Sequence, residues 1–511
     1  MASATIRISV CGVSLKSIGW AKECCPGHFP VAAPVLASGT EGWRVGRLPS
    51  RRYASEDLHI RGVLGGGVAQ ASRDQWSSSF GFFAAAVGSA VGLGNMWRFS
   101  YLTAEKGGAA FVALYLVFTL VIGIPVLLAE LTLGRGAQKG PIGALAHFGG
   151  ERWKALGALF VVTGFLILSY YSVIAGWTLR YALESLTVGI PRDAAAHFGS
   201  VSEGADAFLF HALFMAITMV IVGGGVSRGI ERVSVVAMPL LFVLVCALAL
   251  YGATLENSAG GYRYYLNADF ANALSLDVLV AAAGQAFFSL SLGMGAMMTF
   301  ASYLTREAHL TRESWVIASA DFGVAFLAGL MVFPIIFALG LQGAVGESTL
   351  GALFVALPGA FAEMGGTGRF VGLLFFVALV VGALTSALSL FEVVVSAAID
   401  ELGWSRPKAV LIMGVLVTLL GAGAAWNIAV LDLMDQVANN LFLLAGGLAL
   451  AVFTGWVMDE PIAEARAGLG SSRGLGIWRF LLRWVVPPVL IFVLWHSVPA
   501  TLENLWMFFA G

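Results

Sequence analysis

Composition and patterning place this chain among all-α polytopic membrane proteins, with about 11 transmembrane helices, two of them broken. Three observations lead there. First, 59% of the 511 residues are hydrophobic and only 12% are charged, whereas a soluble domain averages roughly a quarter charged and under half apolar. Second, the mean hydropathy is +0.86, and the apolar runs far exceed the roughly 9–11 residues of a barrel strand, so the spans are helices. Third, clusters of Gly and small polar residues interrupt the first and sixth runs. These features exclude a soluble enzyme, a nucleic-acid binder and a disordered chain. A formal net charge of -1 gives no reason to expect a polyanionic partner.

A helix crossing the hydrocarbon core needs roughly 20 mainly apolar residues. Such runs centre near Phe80–Leu102, Ala109–Leu133, Leu156–Leu186, Ala207–Gly223, Val233–Tyr251, Val278–Leu304, Trp315–Leu341, Phe370–Ile399, Ala409–Ala425, Met434–Met458 and Trp478–His496. The polar stretches between them are short. Residues 73–458 therefore read as a ten-helix membrane core, and residues 459–511 as a cytoplasmic loop, an eleventh helix and an extracellular tail, with no soluble module. Orientation follows the Lys/Arg asymmetry of the loops. With the N-terminus cytoplasmic, the inner loops hold Arg135, Lys139, Arg152, Lys154, Arg228, Arg232, Arg306, Arg312, Arg406, Lys408, Arg466, Arg473, Arg479 and Arg483. The outer loops hold only Lys106, Arg180, Arg192, Arg263 and Arg369. The expected location is the plasma (inner) membrane, with the C-terminus outside.

Residues 1–72 fall outside this pattern. They are polar and Arg/Ser-rich, and their one short apolar stretch, Val31–Ala37, is broken by Pro34, which argues against a signal peptide. A poorly structured extension, or a start codon assigned too far upstream with Val63 or Val68 as the true start, is favoured over a basic targeting arm. Cys11, Cys24 and Cys25 lie in this stretch and Cys246 in an apolar run; no pair has zinc-ligand spacing, and Cys246 reads as a small packer.

The interruptions are Gly88-Ser89-Ala90-Val91-Gly92-Leu93-Gly94-Asn95 in the first run and Ser289-Leu290-Ser291-Leu292-Gly293-Met294-Gly295 in the sixth. Gly costs about 1 kcal/mol per position against Ala in a helix interior. Matching breaks five helices apart point to a 5+5 inverted repeat with a binding site at the bilayer midplane. Taken alone, the clusters fit ordinary Gly enrichment at helix–helix contacts equally well. The neighbours break the tie: Asn95 and Arg98 flank the first break, Ser289 and Ser291 lie in the second, Asp321 sits in the seventh span and Thr385-Ser386 in the eighth. An ionisable group within a span is costly and marks function. Carbonyls, hydroxyls, an amide oxygen and a carboxylate form a hard-oxygen set suited to a small cation such as sodium, and free helix N-termini at the breaks would offer N–H groups to an anion.

Here the chain resembles the neurotransmitter:sodium symporters. The stretch Trp76–Phe99 is similar to their opening helix, and the likeness recurs at Gly123-Ile124-Pro125 through Glu130, Gly134-Arg135, Tyr170-Tyr171 and Trp177. It continues through Gly229-Ile230-Glu231-Arg232 to Pro239, Gly284-Gln285 through Tyr303, Leu384-Thr385-Ser386 and Met434-Asp435. The match runs in order from about Arg73 to Trp456, closest to the bacterial amino-acid branch that holds the leucine and multihydrophobic amino-acid transporters.

The resemblance implies two sodium ions and no organic cofactor. The first ion would be held by Ala90, Asn95 and Ser289, with Asp321 where the family usually has Asn. The second would be held by Gly88, Val91, Gly382, Thr385 and Ser386. Any one of these hydroxyls also fits a bond back to its own helix. Chloride-dependent members carry a Ser one turn beyond Asp321, where this chain has Ala325, so Asp321 implies charge supplied by the protein and chloride-independent transport. Monoamine carriers have Asp at the position of Gly92; its absence implies a substrate bearing its own α-carboxylate, placed near Leu93, Gly94 and the Tyr171 hydroxyl. The amine would meet carbonyls of Ala90, Phe288 and Ser291, and the side chain would face Ile167, Phe288, Met294 and Leu390, with Ser89, Ser289 and Ser386 also lining the site. Met294, flexible where the leucine transporter has Phe, suits large or aromatic side chains.

Arg98 and Asp435 are similar to the family's outer ionic gate with Phe288 as lid, and Arg73, Trp76 and Asp400 to the inner gate. Gly229 and Pro239 would let the fifth helix unwind at its inner end; read alone, they are a helix start and a packing kink. Glu130 matches a family Glu that braces the broken helices, while Glu392, where the leucine transporter has Gln, reads as a buried neutral acid. The implied activity is sodium-coupled symport of a hydrophobic L-amino acid by alternating access, with the bilayer as its surroundings, no nucleic-acid partner and a monomer as the simplest assembly. The alternative is an amino-acid-binding membrane sensor with little transport. An enzyme is disfavoured because the seven His are scattered and no nucleophile–base pair or metal motif is present.

Overall fold

The computed structural model describes residues 73–267, 275–341, 349–466 and 473–510, so the expectations for residues 1–72 lie outside the described residues. All described residues belong to one compact unit, Ala71–Gly511, and among them the regular structure is helical throughout.

Among the described residues nine helices are long and apolar enough to cross a bilayer: Ala109–Ala137, Glu151–Leu186, Gly204–Gly223, Val226–Ala253, Leu310–Ala338, Gly365–Leu402, Arg406–Trp426, Ile428–Val457 and Gly474–Ala510. These correspond in order to the second to fifth and seventh to eleventh expected runs, and those ordinals are kept below. The first run is a pair, Ser79–Ala90 and Gly94–Glu105, bent by 59°. The sixth run is also divided, into Leu276–Ser289 and Ala296–Ala301. Several helices outlast their apolar runs: the eighth span has 38 residues, about 57 Å at 1.5 Å per residue against a core of roughly 30 Å. Short helices that the apolar runs do not announce fill the connections, among them Pro141–Gly149, Ala194–Val201, Ser258–Leu266 and Leu353–Glu363.

Burial separates scaffold from periphery. The apolar windows of the third and eighth spans are 61% and 67% buried, those of the fourth and fifth only 39% and 33%. The third and eighth spans pack along each other, and Ser79–Ala90 lies against the fifth and eighth. The two divided spans therefore lie within the bundle, where irregular backbone can find partners inside protein.

Those partners are specific. Beyond Ser289 the chain passes through Ser291, Gly293 and Gly295 at φ 53°, 79° and 74°, a left-handed region that glycine enters without the Cβ penalty. The freed N–H groups of Gly293 and Met298 donate to the two carboxylate oxygens of Glu130 at 2.8 and 3.2 Å. Ser291 Oγ donates to the Ser89 carbonyl at 2.9 Å, joining one break to the other. Glu130 thus occupies the bracing place expected of it.

Candidate functional site

A small cavity of about 30 Å³ lies between the two breaks, lined by Ser89, Ala90, Gly92, Gly94, Asn95, Ile167, Tyr171, Phe288, Ser289, Ser291, Met294, Ser386 and Leu390. Each break contributes backbone, while the third and eighth spans contribute Ile167, Tyr171, Ser386 and Leu390. Leu93, also expected here, lines the neighbouring cavity instead, although its N–H reaches the Tyr171 hydroxyl at 3.4 Å. The lining is mixed, with polar Ser89, Asn95, Tyr171, Ser289, Ser291 and Ser386 beside apolar Ile167, Met294 and Leu390. No side chain fits at Gly92 in this arrangement, because a Cβ there would lie 2.9 Å from the Tyr171 oxygen and would run into Ser386 Oγ.

At one side of this cavity stands a fully buried polar knot. Asn95 Nδ2 donates to Asp321 Oδ1 at 2.6 Å and to Ser289 Oγ at 3.0 Å, and Ser289 Oγ donates to Asp321 Oδ2 at 2.7 Å. Tyr115 completes it, its hydroxyl 2.9 Å from Ser289 Oγ and 3.1 Å from Asp321 Oδ2. Asp321 is 0% exposed, and every partner in the knot is neutral. A carboxylate so placed retains a strong attraction for a cation, since hydroxyl and amide donors offset only part of the cost of its burial. Asn95, Ser289 and Asp321 are brought together as expected, with Ala90 on the cavity wall beside them.

Of the other expected set, Gly88, Gly382, Thr385 and Ser386 lie along one seam between the first and eighth spans. Ser386 Oγ donates to the carbonyls of Gly88 and Ser89 at 3.3 and 3.2 Å, and a Cβ on Gly88 would lie 2.9 Å from Thr385 Cβ. The Thr385 hydroxyl bonds back to Gly382 O at 3.0 Å. Gly382 faces Gly92 Cα, and Val91 ends the helical turn, its N–H bonded to Val87 O at 2.7 Å. Ser89 and Ser389 join hydroxyls at 2.7 Å, a contact across the same seam.

The two ends of the bundle differ. At the Arg98 end a larger cavity of about 180 Å³ shares Gly94, Tyr171 and Phe288 with the small one and is lined by Arg98 and Asp435. Arg98 sits over the Phe288 ring, 4.4 Å from its centroid, and Asp435 accepts from Asn439 at 2.6 Å. This pair faces one cavity without forming an ion pair with each other. At the opposite end the contacts are made: Arg73 NH1 binds Asp400 at 2.8 and 2.9 Å, Arg73 NH2 donates to Ser302, and Trp76 Nε1 donates to Phe300 O at 2.9 Å.

One expectation needs correction. Glu392 is not a neutral buried acid: its two oxygens accept from the Arg406 guanidinium at 2.8 and 2.9 Å and from the Tyr303 hydroxyl at 2.6 Å. A guanidinium does not give up its charge in a protein, so the pair is ionic. Two polar groups were given no role in the sequence reading. Tyr115 is the one polar side chain in the run Ala109–Phe118, a signal that was present; Glu231, which holds the start of the first span, lies at a helix edge where a carboxylate reads as solvated.

Comparisons with known proteins identify the family. The model of the sodium:neurotransmitter symporter family matches residues 73–211 and 200–508. The chain is 34% identical over 440 residues to the sodium-dependent transporter YhdH of Bacillus subtilis, covering 82% of this chain and 96% of that one. It is 33% identical over 447 residues to a sodium-dependent transporter of Methanocaldococcus jannaschii, covering 82% and 89%. The crystal structure of MhsT in complex with L-phenylalanine matches with a TM-score of 0.76 at 40% identity, over 83% of this chain and 99% of that one. The chain therefore belongs to the sodium:neurotransmitter symporter family and is a multi-pass, sodium-coupled membrane transporter, not an enzyme.

Proposed function

We propose that the protein carries a hydrophobic L-amino acid, aromatic ones included, into the cell with sodium and without chloride, by alternating access in a 5+5 inverted repeat. The observation that carries this reading is the buried Asp321 carboxylate, whose partners in the knot are Asn95, Ser289 and Tyr115. A fixed negative charge among hard oxygens calls for a small desolvated cation. Sodium would bind at Ala90, Asn95, Ser289 and Asp321, and a second ion at Gly88, Val91, Gly382, Thr385 and Ser386. The substrate carboxylate would lie near Gly92, Gly94 and Tyr171, and its side chain against Ile167, Phe288, Met294 and Leu390. The absence of room at Gly92 supports a substrate that brings its own acid, and the L-phenylalanine bound to MhsT supports an aromatic one.

Phe288, Arg98 and Asp435 would close over the substrate from outside; Arg73, Trp76 and Asp400 would then part toward the cytoplasm. The Lys/Arg bias supports cytoplasmic placement of the Arg73 end. Uptake of labelled phenylalanine and leucine into proteoliposomes tests the reading. An inward sodium gradient should drive accumulation, potassium should not replace it, and gluconate should replace chloride without loss. Sodium-dependent binding without accumulation would instead identify a sensor.

A further inference from the structure

Glu231 ends the π-helical turn Val226–Glu231 that begins the fifth span, and it is only 3% exposed. Its partners are donors on the first span's opening turn. Oε1 accepts from Ser77 Oγ at 2.6 Å and Ser78 Oγ at 2.9 Å, and Oε2 accepts from Ser77 N at 2.8 Å. Ser78 is also the N-cap of Ser79–Ala90, its Oγ accepting from Gly81 N at 2.9 Å. The carboxylate of one span therefore sits at the N-terminus of another, where unpaired N–H groups and the helix dipole favour a negative charge. Hydrogen bonds to an ionised acceptor are the stronger kind. Gly81 lies so close that any Cβ there would run into Glu231.

The segment carrying this carboxylate begins irregularly, with Gly229 N and Ile230 N both donating to Gly225 O at 3.1 Å. It starts from Gly225 at φ 86°, its turn is π-helical, and Val226 N has only a long bond to Asp74 Oδ2 at 3.4 Å. Glu231 lies two residues after Gly229 and eight before Pro239, between the two positions where the fifth span is weakest.

We propose that Glu231 is a positioning residue that latches the cytoplasmic end of the fifth span to the first, so that unwinding of one and outward swing of the other happen together. This rests on the alternating-access reading above. Arg73 and Asp400 tie the same opening segment to the eighth span; the Glu231 latch adds a tie to the fifth, the span that would have to loosen to let water reach the second sodium site. Breaking the latch should favour the inward-open state without altering any group that touches ion or substrate.

The test uses the full chain in nanodiscs with Cys11, Cys24, Cys25 and Cys246 replaced, and an Ala85→Cys reporter. Ala85 is 1% exposed and lies one turn beyond Gly81 on the same helix face. In the parent, sodium should slow maleimide labelling of the reporter relative to potassium. Glu231→Gln should label about tenfold faster in sodium, and Ser77→Ala with Ser78→Ala should do the same while keeping the carboxylate. Combining all three changes should add little to either. If sodium fails to protect the parent, alternating access itself is wrong, and the latch with it. Should sodium protect the parent while the hydroxyl variant, folded and monodisperse, labels at the parent rate, the latch alone is refuted.

Discussion

Asp321 sets the electrostatics of the site. A charge buried in the bilayer is expensive unless paired, and hydrogen bonds from Asn95, Ser289 and Tyr115 redistribute that cost without cancelling it. Under the proposed function a sodium bound there would cancel it, and the carboxylate would make an extra anion unnecessary. Asp321→Asn should therefore lose most sodium-driven uptake, with the sodium requirement rising about tenfold or more. Ala325 is buried one turn further along the same helix face, and Gln285 Oε1 is buried without a partner. Adding a hydroxyl by Ala325→Ser to the Asp321→Asn variant would bring another donor beside those of Ser289 and Tyr115. Partial recovery of uptake in chloride, and none in gluconate, is the expected outcome. Wild-type uptake that collapses on chloride removal would refute the charge-replacement argument.

The sixth span shows how an element turns irregular backbone into a pocket. Its break leaves Met294 between two left-handed glycines, with 3% of its surface exposed and among the residues that line the cavity. A thioether chain can fold aside for a bulky ligand, whereas a rigid ring cannot. Met294→Phe should therefore weaken large aromatic substrates more than leucine-sized ones, by roughly 1–3 kcal/mol of overpacking. Competition against labelled leucine measures this, and a uniform loss across substrates would place Met294 outside the side-chain pocket. The break was legible because Gly293 and Gly295 stand out in an apolar helix, and Asn95, Ser289 and Asp321 because hard polar groups are rare there. Ser291 was legible as polar but not as a left-handed residue bonding Ser89 across the two breaks, since no local pattern encodes a partner 202 positions away. Tyr115 was visible as the one polar side chain of its run, but its role was not, because only tertiary structure shows where its hydroxyl points. Short connecting helices such as Pro141–Gly149 carry the usual Pro start and Gly stop, but they fall below the length of a membrane span.

At the scale of the whole molecule, several of the ties that close one end of the bundle begin at the first few described residues. Arg73 reaches Asp400 and Ser302, Asp74 lies 3.8 Å from Arg406, Trp76 reaches Phe300, and Ser77 with Ser78 reaches Glu231. These contacts engage the fifth, sixth, eighth and ninth spans through five of the six residues 73–78. The family match also begins at residue 73, and the compact unit holding the site is Ala71–Gly511. Starting the chain at Ala69 behind a new Met should therefore leave sodium-driven uptake unchanged once normalised to the amount of inserted protein. Starting it at Ser79 should abolish accumulation, because the closing contacts go while the cavity stays. That truncated protein should still be recovered from the membrane, since the strap contributes few of the buried apolar contacts that hold the helices together. Loss of uptake in the longer, normally inserted protein would show instead that the first 68 residues take part in the transport cycle.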